Sequence, residues 1–190
     1  MPAPTRSKQQ SLPVAQNQNA EEQFSAFMKR YLPEIASLAK MARAEMRKRY
    51  PTAIELVYDN YNALAIGYGP SERASEAIFS IALYPRWVSL FFLQGARLPD
   101  PDQILKGSGS VAKHIVLSSS ESLNDPAVRA LMHEAVMQAK VAFDSHSNHR
   151  LIIKSISAKQ RPRRPGPESK TAIEPTISQT TKRSLRQAES

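Results

Sequence analysis

The sequence predicts an α+β domain with a mainly antiparallel sheet. Three observations predict it. The chain opens with helical periodicity, continues with a run of short β-type segments separated by turn residues, and returns to one late helical stretch before a final β segment. Of the 190 residues 41% are hydrophobic, enough for one core with extensions at both ends.

Each element follows from its local pattern. Residues 1–20 are rich in Gln, Asn, Pro, Ser and Ala without apolar periodicity, and are expected to form a disordered extension. In "EEQFSAFMKRYL", Phe24, Phe27, Met28, Tyr31 and Leu32 recur at steps of three and four, which predicts a helix from Glu21. Pro33 suits the first turn of a second helix, where Ile35, Leu38, Ala39, Ala42 and Met46 share a side. Arg47, Lys48 and Arg49 then suit its C-terminal dipole, and Tyr50-Pro51 stops it. "AIELVYD" predicts a strand, and "NYNALAIGYGPSER" an irregular strand and turn. "EAIFSIALYP" and "RWVSLFFLQG" read as two strands of a hairpin about Pro85-Arg86. A loop with a short helical turn spans "LPDPDQILKGSGS", and "KHIVLS" is the next strand. "SLNDPAVRALMHEAVMQAKVAF" predicts a helix capped by Asn124 or Asp125, with Pro126 in its first turn and Leu131, Met132 and Ala135 facing inward. "RLIIKSIS" is a last strand at a sheet edge. The domain is expected to span residues 21–157, and the polar, Pro-rich, basic residues 158–190 to form a disordered tail.

Composition narrows the function classes. The chain has no cysteine, which excludes disulfides, thiol catalysis and cysteine-ligated metals. No apolar run is long enough for a signal peptide or a bilayer span, so a cytoplasmic protein without membrane contact is expected. The formal charge is +9, unevenly spread. Residues 1–20 carry two bases and no acid, residues 21–157 carry 16 bases and 14 acids, and residues 158–190 carry 8 bases and 3 acids. The basicity is therefore concentrated in the tail.

Read in order, "ELVYDNYNALAIGY", "FSIALYPRWVSLFFLQGARLPDP", "LKGSGSVAKHIVL" and "DPAVRALMHEA" resemble the YdhG-like domain family over about residues 34–143. These are small bacterial α+β domains, one branch of which is described as frataxin-like iron chaperones. The chain departs from that family's pattern at three landmarks. "YDNYNALAIGYGP" stands where many members have Trp followed by Met-Pro, Trp87 stands where many have His, and G-S-G-S-V-A-K-H brings Ser110 and Lys113 into the usual basic positions.

No nucleophile–base pair or metal constellation is visible, so an enzyme is disfavoured and no cofactor is expected. Gly107-Ser-Gly109 precedes a strand rather than a helix, which speaks against a nucleotide loop and for a turn. Lys113 and His114 then point to opposite faces of that strand. His133-Glu134 lacks a second His at Met137, and His146 and His149 lie in a polar segment that reads as a solvated linker. Iron carriage by resemblance meets an objection on the second helix, where Glu34 and Glu45 face Lys40, Arg43, Arg47, Lys48 and Arg49.

The aromatics Tyr58, Tyr61, Tyr68, Tyr84 and Trp87 gather in and around the strands. They either pack a sheet face or line a pocket. The pocket reading gives a binding module whose site is Tyr61, Trp87, Arg97, Lys113 and His114, for an unidentified small polar or anionic ligand or a protein partner. One alternative is a nucleic-acid-associated accessory protein acting through Arg161, Arg163 and Arg164 of the tail, and a second, implied by the resemblance, is an intracellular iron-binding chaperone.

Overall fold

The computed structural model describes residues 12–145 and 147–166. Three α-helices, α1 (Leu12–Met28), α2 (Pro33–Arg49) and α3 (Pro126–Met137), accompany six strands. These are β1 (Ile54–Asp59), β2 (Leu64–Gly69), β3 (Phe79–Leu83), β4 (Val88–Phe92), β5 (Lys113–Leu117) and β6 (Arg150–Ile156). They form one sheet in the order β5-β4-β3-β2-β1-β6. The fold is α+β. Four successive antiparallel pairings join β1 through β5, and β6 returns to lie parallel to β1 at the edge.

Alternation along the strands separates the two faces. Val57, Ile66, Ile81, Leu90, Ile115 and Leu151 point to one face and merge into a single core with the buried side chains of all three helices. On the other face, register places Tyr58, Ala65, Ala82, Ser89 and Val116 in one row across five strands. Leu56, Gly67, Ser80, Phe91 and His114 form the next row. Residues 76–77 cross this helix-free face at one end, where a Cβ on Gly69 would lie 2.9 Å from Ala77 Cα. The glycine permits that close approach.

The helix boundaries differ from the sequence expectation at both ends. α1 begins at Leu12 rather than Glu21, because tertiary contact with β6 supports its polar first half. The Asn17 Oδ1 accepts a 3.0 Å hydrogen bond from Leu151 N on that edge strand. Residues 12–20 are thus helical, and residues 1–11 lie outside the described residues. α3 ends at Met137, short of Phe143, while Phe143 folds back to stack on Tyr50 at 5.1 Å. Asp125 is the α3 cap, accepting from Ala127 N and Val128 N. The short helical turn lies at Gly95–Arg97, just before the expected loop, and the loop is held instead by Asp100 accepting from Ile104 N and Leu105 N.

Residues 158–166 are a second correction. They run across the β1–β2 turn as an ordered strap, because Gln160, Arg161 and Arg163 bond back to Asp59, Asn60 and Tyr61. Residues 167–190 lie outside the described residues. No helix among the described residues is long and apolar enough to cross a membrane.

Candidate functional site

The register decides whether the expected site assembles. Val88 pairs with Leu117 and Phe92 pairs with Lys113, so Trp87 and Lys113 lie at opposite ends of their strands. Four residues of strand separate these pairings, about 13 Å. Tyr61 and Trp87 occupy the end carrying the β1–β2 and β3–β4 turns. Arg97, Lys113 and His114 occupy the other end. The five residues form two groups rather than one pocket.

At that far end the polar groups serve the loop. Gly107 has φ +111°, the left-handed region that its lack of a Cβ allows. Lys113 Nζ donates to Gly107 O at 2.6 Å, and a Lys106–His114 bridge ties the loop to β5. His114 stacks on Phe91 at 4.9 Å on the helix-free face. Burial and the nearby Lys106 charge hold its imidazole below the usual histidine range. Arg97 is exposed. The glycine stretch is a turn followed by a strand, and its lysine and histidine do face opposite ways.

The turn end is built differently. Asp59, at the end of β1, is fully buried and receives Arg30 and Arg163, the latter at 2.8 Å. Arg163 also donates to Asn60 O and Tyr61 O, and its side chain is 3% exposed. It is a structural anchor and not the free tail cation expected from sequence. Arg161 places its guanidinium 5.6 Å from the Tyr61 ring centre, and Arg164 caps α1 through Lys29 O and Arg30 O. Tyr31 OH donates to Leu83 O at 3.1 Å and accepts from Leu64 N at 2.9 Å, fixing the turns to the helices.

Above this buried layer the surface is apolar and cationic. Tyr61 is 49% exposed and Trp87 43% exposed, the latter stacked on Tyr84 at 5.0 Å. Val116 and Ile156 are exposed at the same end. The segments at that end, 60–63, 84–87 and 154–164, expose Arg86, Lys154, Lys159, Arg161 and Arg164 and contain no acidic residue. On the adjoining sheet face, the hydroxyls of Tyr58 and Ser89 are enclosed without a hydrogen-bond partner among the described residues. Tyr68, by contrast, is a core residue whose phenol burial holds well above its usual range.

A second polar centre lies under the helices, and sequence reading missed it. Glu55 points from β1 into the core and is fully buried. Arg43 Nε bonds both its oxygens at 3.1 and 3.0 Å, and Arg47 bonds them at 3.1 and 2.8 Å. Glu21 of α1 closes the network from outside, bonded to Arg43 Nη1 at 2.9 Å and Nη2 at 2.8 Å and also to Arg47. Burial alone would raise the Glu55 carboxyl, but His149, Arg43 and Arg47 hold it at about 2. His149 Nε2 stands 3.3 Å from Glu55. His149 is therefore part of the core network rather than a solvated linker, and His146 lies outside the described residues. The arginines of α2 are not an unpaired repulsive face either: two are neutralised here, and Arg49 bonds Leu123 O and Asn124 Oδ1. A single Glu inside the apolar run "AIELVYD" was the available signal.

Among the described residues, no three His, Asp or Glu side chains gather where a metal ion would fit. No protein-family model, curated protein or solved structure matches this chain.

Proposed function

We propose that the chain is a binding module whose turn end takes a single-stranded nucleic acid, on a YdhG-like scaffold. One observation supports this most strongly. Two exposed aromatics from different turns, Tyr61 and Trp87, lie at the same end of the sheet as five exposed cations from segments that hold no acid, and Arg161 stands 5.6 Å from the Tyr61 ring centre. Bases stack on aromatic faces irrespective of sequence, while Lys and Arg meet the phosphates. The tail arginines alone lacked aromatics; the fold supplies them from residues more than 70 positions earlier in the chain.

The test uses Trp87, the single tryptophan, as the probe. Oligo(dT) and oligo(U) at low salt should quench its fluorescence, and binding should weaken with a log–log salt slope of about −2 to −3.5 for about three to five phosphate contacts. Tyr61→Ala should weaken binding by about tenfold, within the range for one stacked base. An unchanged Trp87 signal together with no mobility shift at low salt overturns the reading. Binding of an acidic protein in place of either oligonucleotide also overturns it, since the same charges would attract one.

A further inference from the structure

We infer that the bound single strand leaves the turn end and runs along β4 over the helix-free sheet face to a second stacking station, the Phe91–His114 pair, where Lys106 meets its phosphates. The inference rests on the proposed function and extends that site from one end of the sheet to the other.

Register builds the path. Val88, Leu90 and Phe92 are fully buried on the helix side, so alternation turns Trp87, Ser89 and Phe91 the opposite way. Phe91 pairs with His114, and a bridge between His114 and Lys106 carries the same row past β5. Ring, imidazole and lysine thus stand side by side on one face. Phe91 and His114 are half-buried and stack at 4.9 Å with 26° between their planes, and Lys106 is exposed. Tyr84 and Trp87 form the corresponding stack at the turn end, with exposed Arg86 between them in the chain. The two stations lie about 13 Å apart along β4. Between them the floor is made of the small side chains Ala82 and Ser89, and the neighbouring Val116 is 43% exposed on β5.

Charge selects the occupant. Residues 77–98 and 103–120, which hold β3, β4 and β5, contain Arg86, Arg97, Lys106 and Lys113 and no Asp or Glu. Lys113 is engaged with Gly107 O, whereas the other three are exposed. A second copy packed face to face would set these cations against one another, which opposes a dimer. A polyanion is attracted by the same charges. Two aromatic stacks, each beside an exposed cation, suit the bases and phosphates of a single strand, because stacking is indifferent to which base arrives.

The test maps where the strand lies on the full chain. Thiouridine-labelled oligo(U) of about 12 nucleotides is crosslinked by light, and the adducts are located by mass spectrometry. Adducts are expected at Tyr61 or Trp87 and also at Phe91 or His114. In parallel the unlabelled oligonucleotide is titrated by Trp87 fluorescence. Phe91→Leu, which keeps apolar bulk but removes the ring, should weaken binding about tenfold while the saturating quench of Trp87 is unchanged. Lys106→Ala, at an exposed position, should make the log–log salt slope shallower by about 0.7. Adducts confined to the turn end, with both variants binding like wild type, overturn the path and leave the proposed function standing. Absence of both Trp87 quenching and adducts overturns the reading on which the path rests. A chain that sediments as a dimer, and as a monomer after Phe91→Leu, assigns the face to a second copy and overturns the path.

Discussion

Arg163 and Asp59, 104 residues apart in the chain, meet at 2.8 Å where neither side chain reaches solvent. The pair binds the strap to the end of β1 and so connects the last described segment to the strand next to the sheet edge. Arg30 shares the same carboxylate, which leaves Asp59 partly compensated if Arg163 is lost.

Removing Arg163 should therefore cost about 2–4 kcal/mol, slightly below the range for breaking a buried pair outright. Chemical denaturation of Arg163→Ala measures this. Arg163→Lys should recover less than half, because one ammonium cannot reproduce the contacts to Asp59, Asn60 and Tyr61. A stability equal to wild type would show that the strap is not anchored there.

Acid should unfold the protein through Glu55. His149, Arg43 and Arg47 hold its folded carboxyl at about 2, well below the usual glutamate range near 4.5. The stabilisation is thus fully present above pH 4.5 and is lost as the pH falls from there toward 2. Its size is on the order of 3 kcal/mol. Glu21, lowered despite its own burial by Arg43 and Arg47, acts in the same direction. Glu55→Gln should be less stable than wild type at neutral pH and show a flatter stability profile between pH 4.5 and 2. Equal acid sensitivity of the two proteins would assign the acid transition to other groups.

Tyr31→Phe deletes one oxygen and strands two buried backbone groups, Leu64 N–H and Leu83 C=O. The expected loss is about 1–3 kcal/mol, with accelerated amide exchange at Leu64. Unchanged exchange there would mean the hydroxyl is not its partner.

Gly107→Ala should cost about 1–2 kcal/mol, because an alanine at φ +111° is strained and its Cβ would approach His114 Nδ1 to 3.3 Å. The same substitution at Gly166, where a Cβ meets nothing within 4 Å among the described residues, is the control and should be near neutral. Equal stability of both variants would refute the turn role of Gly107.

Local elements were legible because their causes are local. The Pro85-Arg86 turn, the Asp125–Pro126 helix start and the alternation of β3 and β4 are each written within a few residues. The first half of α1 was not legible, since its helicity rests on β6, more than 120 residues later. Of the candidate residues, Tyr61 and Trp87 stand together at the turn end, while Arg97, Lys113 and His114 stand at the far end. Strand register, which sequence spacing does not reveal, makes that division.

Periodicity and backbone chemistry along the chain suffice for the class of fold, the order of its elements and the turn at Gly107. The roles of the charges emerge from packing alone. Glu55 and Asp59 look like ordinary strand residues until the sheet turns them toward the helices. Burial then requires partners, and packing brings Arg43, Arg47, Arg30 and Arg163 to them. The same packing leaves Arg86, Lys154, Lys159, Arg161 and Arg164 outside beside Tyr61 and Trp87, because neutralisation of a buried carboxylate is a demand of low dielectric that the solvated rim does not share.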